Sequence, residues 1–372
     1  MKSNYRALSE LIEKVDERND DGAITELIGV SIDKCFIKSV ANTNGTDLSK
    51  YKIIRKNEFA VSLMQVSRDS KIPVARLEDY EVAIMSPAYP IFRVKDTRKI
   101  LPEYLDMWFK RPEFDREAAF IAVGGVRGSM PWEEFVKMKL PVPTIEKQLE
   151  IVNSYKAITE RIALKQKIND NLLDLVQAIF RSWFVDYDPF DGVCPSNWET
   201  GCVEDIAEFF DSMRKPLSSL ERTDMERIYP YYGAVSIVDY VDDYIFDGEY
   251  LLVSEDGIYV VDENGHPLIQ HISGKFWANN HAHILKGKSG FNEDSLYLFL
   301  ANTNMAPIVT GAAQPKINQA NLKSFPITIP DSETMLKFNN IIQPFFDQRL
   351  TNESEIKKLE ALQSLLLTRL VD

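Results

Sequence analysis

The chain repeats itself. Gly124 to Pro143, GGVRGSMPWEEFVKMKLPVP, and Gly311 to Pro330, GAAQPKINQANLKSFPITIP, align without a gap at an offset of 187 residues. Only the first Gly and the last Pro are identical, yet the apolar positions match one for one: Met130 with Ile317, Phe135 with Leu322, Met138 with Phe325, Leu140 with Ile327, Val142 with Ile329. The last two pairs lie in alternating runs that read as short strands ending at proline. A duplicated unit of this kind points to two related modules and excludes one continuous fold.

The same change of texture follows each copy. From Thr144 to Asp188 there is neither Gly nor Pro, and Ile151, Tyr155, Ile158 and Ile162 recur at helical spacing. After a break at Lys165–Lys167 the stripe is expected to resume at Ile168, Leu172, Leu175 and Ile179. From Asp331 onward Ile356, Leu359, Leu362, Leu366 and Leu370 share one face, and Pro344 is expected to kink or restart that helix. Each helix should seal against the other. The expected order is a module at 1–143, a helix at 144–190, a second module at 191–330 and a helix at 331–372. Within the modules, Glu58–Val66, Tyr80–Met85 and Tyr250–Val253 read as strands, and Tyr104–Phe109 and Leu296–Asn302 as short helices. The fold class is therefore α+β: two mixed α/β modules related by the repeat and separated by two long helices that pack as an antiparallel coiled coil.

With 372 residues and 45% hydrophobic composition, each half can fill a core. No apolar run approaches the roughly 20 residues that span a bilayer. The polar N-terminus lacks a signal-peptide pattern, so a cytoplasmic protein with no membrane partner is expected. Cys35, Cys194 and Cys202 are too few and scattered for a disulfide framework, which suits a reducing compartment. The net charge of −13 opposes nucleic-acid binding when taken whole, because phosphate contacts need Lys and Arg. Divided along the chain it does so less: residues 1–143 carry a net +1, and residues 191–330 carry −11.

The motifs of covalent chemistry are missing. Asp188-Pro189-Phe190 lacks the second proline of an amino-methyltransferase tetrad and follows a long helix. Glu146-Lys147 and Glu355-Ile356-Lys357 fall on helices, where solvated faces explain them better than a nuclease site. There is no phosphate-binding loop. His266, His271, His281 and His283 have no cysteine nearby, so no metal site is expected and they read as loop or pocket donors.

The segment Leu172 to Phe190, LLDLVQAIFRSWFVDYDPF, resembles the central spacer of Type I restriction-modification specificity subunits. Gly311…Gln314-Pro315-Lys316-Ile317…Pro330 resembles the close of a target-recognition domain in that family. Tyr229-Pro230-Tyr231-Tyr232-Gly233-Ala234 and Trp277-Ala278-Asn279-Asn280 are similar to its second-domain pattern. In the first module, Ser31-Ile32-Asp33-Lys34, Ala41-Asn42-Thr43, Met64-Gln65-Val66 and Val126-Arg127-Gly128 resemble one subclass of these domains. The likeness departs where the first module has Arg127-Gly128-Ser129 against Gln314-Pro315-Lys316 in the second.

The resemblance implies a non-catalytic DNA-recognition subunit, each module reading one half of a bipartite double-stranded target. It implies two modification (methyltransferase) subunits carrying S-adenosylmethionine, and restriction subunits using ATP and Mg, with no cofactor on this chain. Base reading needs Arg for guanine and Gln or Asn for adenine at the groove edge. The candidates are Gln65, Arg68 and Arg127 in the first module, and Ser236, Asn279, Gln314 and Lys316 in the second. Arg127 leads, because glycines beside it let backbone approach a ligand. Trp183 and Phe184 are candidates for partner binding, with packing at the helix end as the plainer role. The rival reading is a helical scaffold that binds only protein, which the acidic second half favours.

Overall fold

Both copies of the repeat fold alike. The computed structural model describes residues 4–39, 47–64, 66–123, 128–311 and 313–371. Short helices at Trp132–Phe135 and Gln319–Lys323 begin 187 residues apart and lead into strands Lys139–Pro141 and Pro326–Ile329. Those strands pair antiparallel with strands from the start of each module, Tyr5–Ala7 and Glu199–Cys202. Each starting strand enters a one-turn helix, Leu8–Leu11 or Val203–Ile206, and then a second strand, Ile12–Val15 or Ala207–Phe209. The backbone N–H of Leu8 donates to Met138 O at 2.9 Å, and that of Val203 to Phe325 O at 3.0 Å. Met138 and Phe325 are partners in the repeat, so one hydrogen bond closes both frames. Each one-turn helix is held by a carboxylate in its first turn: Ala7 N–H donates to Glu10 Oε1 at 3.3 Å, and Cys202 N–H to Asp205 Oδ2 at 2.8 Å.

The chain divides into two compact units, Met1–Lys165 with Glu355–Asp372, and Gln166–Ser354. In the first, strands Ile12–Val15, Ile91–Val94, Phe59–Val61 and Val74–Arg76 form an antiparallel sheet in that order. Helices Pro102–Phe109 and Pro112–Ile121, each with proline in its first turn, contribute Phe109 and Phe114 to the core. There they meet Phe59, Phe92 and Phe135, the first two stacked with centroids 5.2 Å apart. Leu367 and Leu370, from the end of the chain, are buried in the same core.

The second unit has a six-stranded sheet in the order Ala207–Phe209, Ala282–Gly287, Phe246–Ser254, Ile269–Ala278, Tyr229–Tyr232, Ile237–Val241. All its pairs are antiparallel except Tyr229–Tyr232 on Ile269–Ala278. Helix Glu293–Ala301, N-capped by Asn292, buries Leu296, Leu298 and Leu300. Each unit is mixed α+β, as the sequence implies.

The two long helices are Ile145–Phe184 and Ser332–Thr368. In the first unit Arg161 and Lys165 both pair with Glu355, the latter at 2.7 Å, and Gln363 Nε2 donates to Thr159 Oγ1 at 2.8 Å. In the second, Asn352 Nδ2 donates to Asn169 Oδ1 at 2.8 Å. Rising numbers meet falling ones, so the helices run antiparallel. The stripe differs from the expected one. Ile168, Leu175 and Leu362 are exposed, and the seam runs unbroken through Ile158, Ile162, Lys165, Asn169, Leu172, Val176 and Phe180. Spacings of three and four carry it across the polar residues, which are tolerated because Glu355 and Asn352 satisfy them. The second helix also continues through Pro344 without restarting. Losing one hydrogen bond there costs about 3 kcal/mol. Burying Phe338, Ile342 and Phe346 around it outweighs that, at roughly 1.5–3 kcal/mol each. Among the described residues no helix is long and apolar enough to cross a membrane.

Candidate nucleic-acid interface

Thr310 and Lys316 exchange two backbone hydrogen bonds of 2.8 Å, which clamp the base of the loop that carries Gly311 and Gln314. Gly311 has φ +84°, and a Cβ there would sit 2.3 Å from Gln314 O, so only glycine closes the turn. Gln314 is exposed on this loop and lines a cavity of about 480 Å³ with Asn279, Asn280, His281, Gly233 and Tyr231. Strands Tyr229–Tyr232 and Ile269–Ala278 build the other wall, and their ladder continues as Asn279 N–H donates to Tyr232 O at 3.0 Å. Asn279 is buried, with Oδ1 accepting from His281 N–H at 2.9 Å. Ser236 is exposed in the neighbouring turn, which is closed by Gly233 N–H to Ser236 O at 2.9 Å and braced by Gln270 Nε2 on the carbonyls of Gly233 and Ala234.

A charged network lies beneath the loop. Lys316 Nζ pairs with Glu255 at 2.9 Å, Arg214 pairs with Glu255 at 2.6 Å and Asp211 at 3.3 Å, and His283 joins Asp211 to the Ile317 carbonyl at 2.6 and 2.8 Å. Burial opposes ionisation of Asp211, but His283, the Ile284 N–H and Arg214 together hold its carboxyl below the ordinary value. Burial likewise opposes that of Glu255, and Lys316 and Arg214 win. Asp211, Glu255 and His283 present ligand-type atoms within 4.8 Å of one another. Both carboxylates already hold cations and both His283 ring nitrogens are engaged, so the cluster is an ion-pair lock on the loop base.

In the first unit, Gln65 and Arg127, with the Ala41-Asn42-Thr43 motif, lie outside the described residues. Their flanks are brought together. Met130 N–H donates to Leu63 O at 2.8 Å, and Gly128, at φ +72°, packs so close that a Cβ would meet Ser67 Oγ at 2.5 Å. Arg68 stands exposed in the short helix Val66–Asp69, its guanidinium on Asp69 at 2.7 and 3.1 Å. Trp183 and Phe184 are half-buried in an aromatic cluster of the second unit: Trp183 lies 5.7 Å from Phe338, and Phe184 lies 4.7 Å from both Phe299 and Phe338. Beside them is a cavity of about 200 Å³ that Val185, Trp198 and Phe184 help to line.

Residues 195–362 match the family model of the Type I restriction modification DNA specificity domain. The chain is 39% identical over 128 residues to a protein of Haemophilus influenzae named as a type I restriction enzyme specificity subunit, covering 34% of this chain and 32% of that one. It is 22% identical over 297 residues to the Type I restriction enzyme MjaIX specificity subunit of Methanocaldococcus jannaschii, covering 73% and 68%. These matches make the chain similar to Type I restriction enzyme specificity subunits, most directly over residues 195–362. It spans about a third of the length of the first relative and about two thirds of the second. The fold of the S subunit from M. genitalium superposes over 100% of this chain and 97% of that one, with a TM-score of 0.59 at 14% identity.

The structure gathers Ser236, Asn279, Gln314 and Lys316 about one cleft and its loop, although 80 residues separate Ser236 from Lys316. Lys316 differs from the others in that its ammonium is spent on Glu255. Sequence reasoning missed Arg214, Glu255 and Asp211, the lock beneath the loop. Their acidic setting looked only like net charge, and no spacing pattern joins them. Arg222 was also missed: it packs over the Tyr231 ring at 4.8 Å and bonds Asp239 at 3.0 Å, bracing the cleft floor.

Proposed function

We propose that this subunit is the non-catalytic DNA-recognition component of a Type I restriction-modification complex, in which the modules 1–143 and 191–330 each read one half of a bipartite target. One observation carries the reading: a single frame occurs twice, closed by the same hydrogen bond, and each copy presents a glycine-turned segment next to polar side chains. In the second module the readers are Asn279 and Gln314, with Ser236 beside them and Lys316 fixing the loop base. Amide side chains at a cleft rim suit the donor–acceptor pattern of adenine. In the first module they are Gln65 with Arg68 and Arg127, whose two guanidinium groups supply positive charge for phosphate and guanine.

The helices 144–190 and 331–372 act as spacer and as docking surface for two modification subunits. Leu164, Ile168 and Leu175 are exposed along the central helix, an apolar row that a partner can cover. Trp183 and Phe184 support that surface from within their cluster. S-adenosylmethionine belongs to the modification subunits in this scheme, and ATP with Mg to restriction subunits.

Mapping methylated adenines in a host that expresses the complex tests the proposal. The expected result is one bipartite motif with an unread spacer of constant length. A complex that assembles and methylates without any sequence preference overturns it and favours the protein-binding scaffold.

A further inference from the structure

One side chain in the second-module cleft is poised like a reader yet has no assigned part. His281 stands between two of the residues already described. Its N–H is taken by Asn279 Oδ1 at 2.9 Å, and the backbone of its partner Asp256 bridges to Lys316. Asp256 Oδ1 lies 2.6 Å from His281 Nδ1. The carboxylate side chain is 16% exposed, whereas the imidazole remains 48% exposed and lines the same cavity as Asn279 and Gln314.

The geometry settles which nitrogen faces outward. A carboxylate at Nδ1 accepts that nitrogen's proton in a hydrogen bond, so the neutral ring presents Nε2 as an acceptor. An acceptor at the major-groove edge complements only the exocyclic amino groups, N6 of adenine and N4 of cytosine. A ring held by a partly buried partner also loses little freedom on binding, unlike a free surface histidine.

We infer that His281 is a further base-contacting residue of the second module, accepting a hydrogen bond from the amino group of an adenine or cytosine, with Asp256 as the positioning residue that sets its tautomer. This rests on the DNA-reading function proposed above. Asp256→Asn then has a distinctive effect. An asparagine can donate to Nδ1, which leaves Nε2 as the protonated nitrogen and turns the acceptor into a donor suited to guanine O6 or thymine O4.

The test uses the full chain assembled with its modification subunits, and measures preference on DNA duplexes randomised one target position at a time. His281→Ala should lower discrimination about tenfold at one adenine or cytosine position and leave every other position unaltered. His281→Gln, which can still accept, should retain part of that preference, and Asp256→Asn should shift it toward guanine or thymine. Unchanged preference in His281→Ala, or a loss spread evenly over all positions, overturns the inference while the DNA-reading function stands. A parent complex with no preference at any position overturns both.

Discussion

The two modules share a frame and almost nothing else. Both open with strand, one-turn helix and strand, and both close with the short helix and proline-ended strand of the repeat. Taken whole, residues 1–143 carry a net +1 and build on a four-stranded sheet, while residues 191–330 carry −11 and build on six strands. Selection on packing holds the frame, because its residues bury each other. What lies between is free to diverge, and that is where the exposed polar side chains collect. Beneath the cleft loop the charges balance, with Glu255 and Asp211 paired to Lys316 and Arg214, so the net −11 comes from other residues of the module.

The contrast can be broken most decisively by exchange. Replacing residues 191–330 with the matching module of a relative should change one half of the methylated motif and leave the other half and the spacer intact. Both halves changing together would end the two-module account. Next in size is the shared frame itself. Phe135→Ala and Leu322→Ala remove partners in the repeat, both fully buried, and should cost about 3–5 and about 2–5 kcal/mol in denaturant unfolding. A cost below about 1 kcal/mol at either would show that the frame is not equally needed in both copies.

A third effect belongs to the second unit alone. Burial pushes Asp294 up to about 7, and Glu249, Asp347 and Glu293 add to it. Unfolded, this carboxyl titrates near 4, so its contribution to stability is complete below pH 4 and is lost as pH rises through 7. Nearby His271 is pushed down to about 4 by burial and then by Arg349, so its contribution is complete above about pH 6.5 and is lost as pH falls toward 4. Asp294→Asn should therefore gain on the parent between pH 5 and pH 8, on the order of 1–3 kcal/mol, read by unfolding at each pH. A constant difference would remove the acidic surroundings as a cost to this unit. The smallest effect sharpens the charge asymmetry. Arg68, paired with Asp69 at the surface, can exchange that partner for phosphate, so Arg68→Gln should lower the salt dependence of DNA binding by about 0.9 in slope, whereas Lys316→Gln, whose ammonium is held by the more buried Glu255, should leave it nearly unchanged.

How much of this was legible depends on whether a residue's neighbours are local. The repeat's close was legible, because Phe135 and Leu322 sit in segments whose pattern survives. Its start was not: Leu8 and Val203 share shape but hardly a letter, and their common role appears only when Met138 and Phe325 lie opposite them. Helix existence was plain from spacing, but Ile168 and Leu175 were put in the seam because apolar residues were trusted over period. Lys165 and Asn169 belong there through partners nearly 200 positions away. Among the site residues, Asn279 and Gln314 were named from their chemistry, and the fold brought them to one cavity. The lock of Arg214, Asp211 and Glu255 was invisible, since an ion pair between distant segments leaves no periodic trace.

Leu367 and Leu370 complete the core of the first unit, although they are among the last residues of the chain. On the ribosome, the two segments of this unit emerge on either side of the second unit. At 5–20 residues per second, the stretch Gln166–Ser354 separates them by roughly 10–40 s, long enough for the second unit to fold meanwhile. Until then the floor beneath Leu140 lacks its closing residues and leaves apolar surface open to water. A stop codon placed before Leu367 would thus damage a core whose other residues lie more than 200 positions upstream.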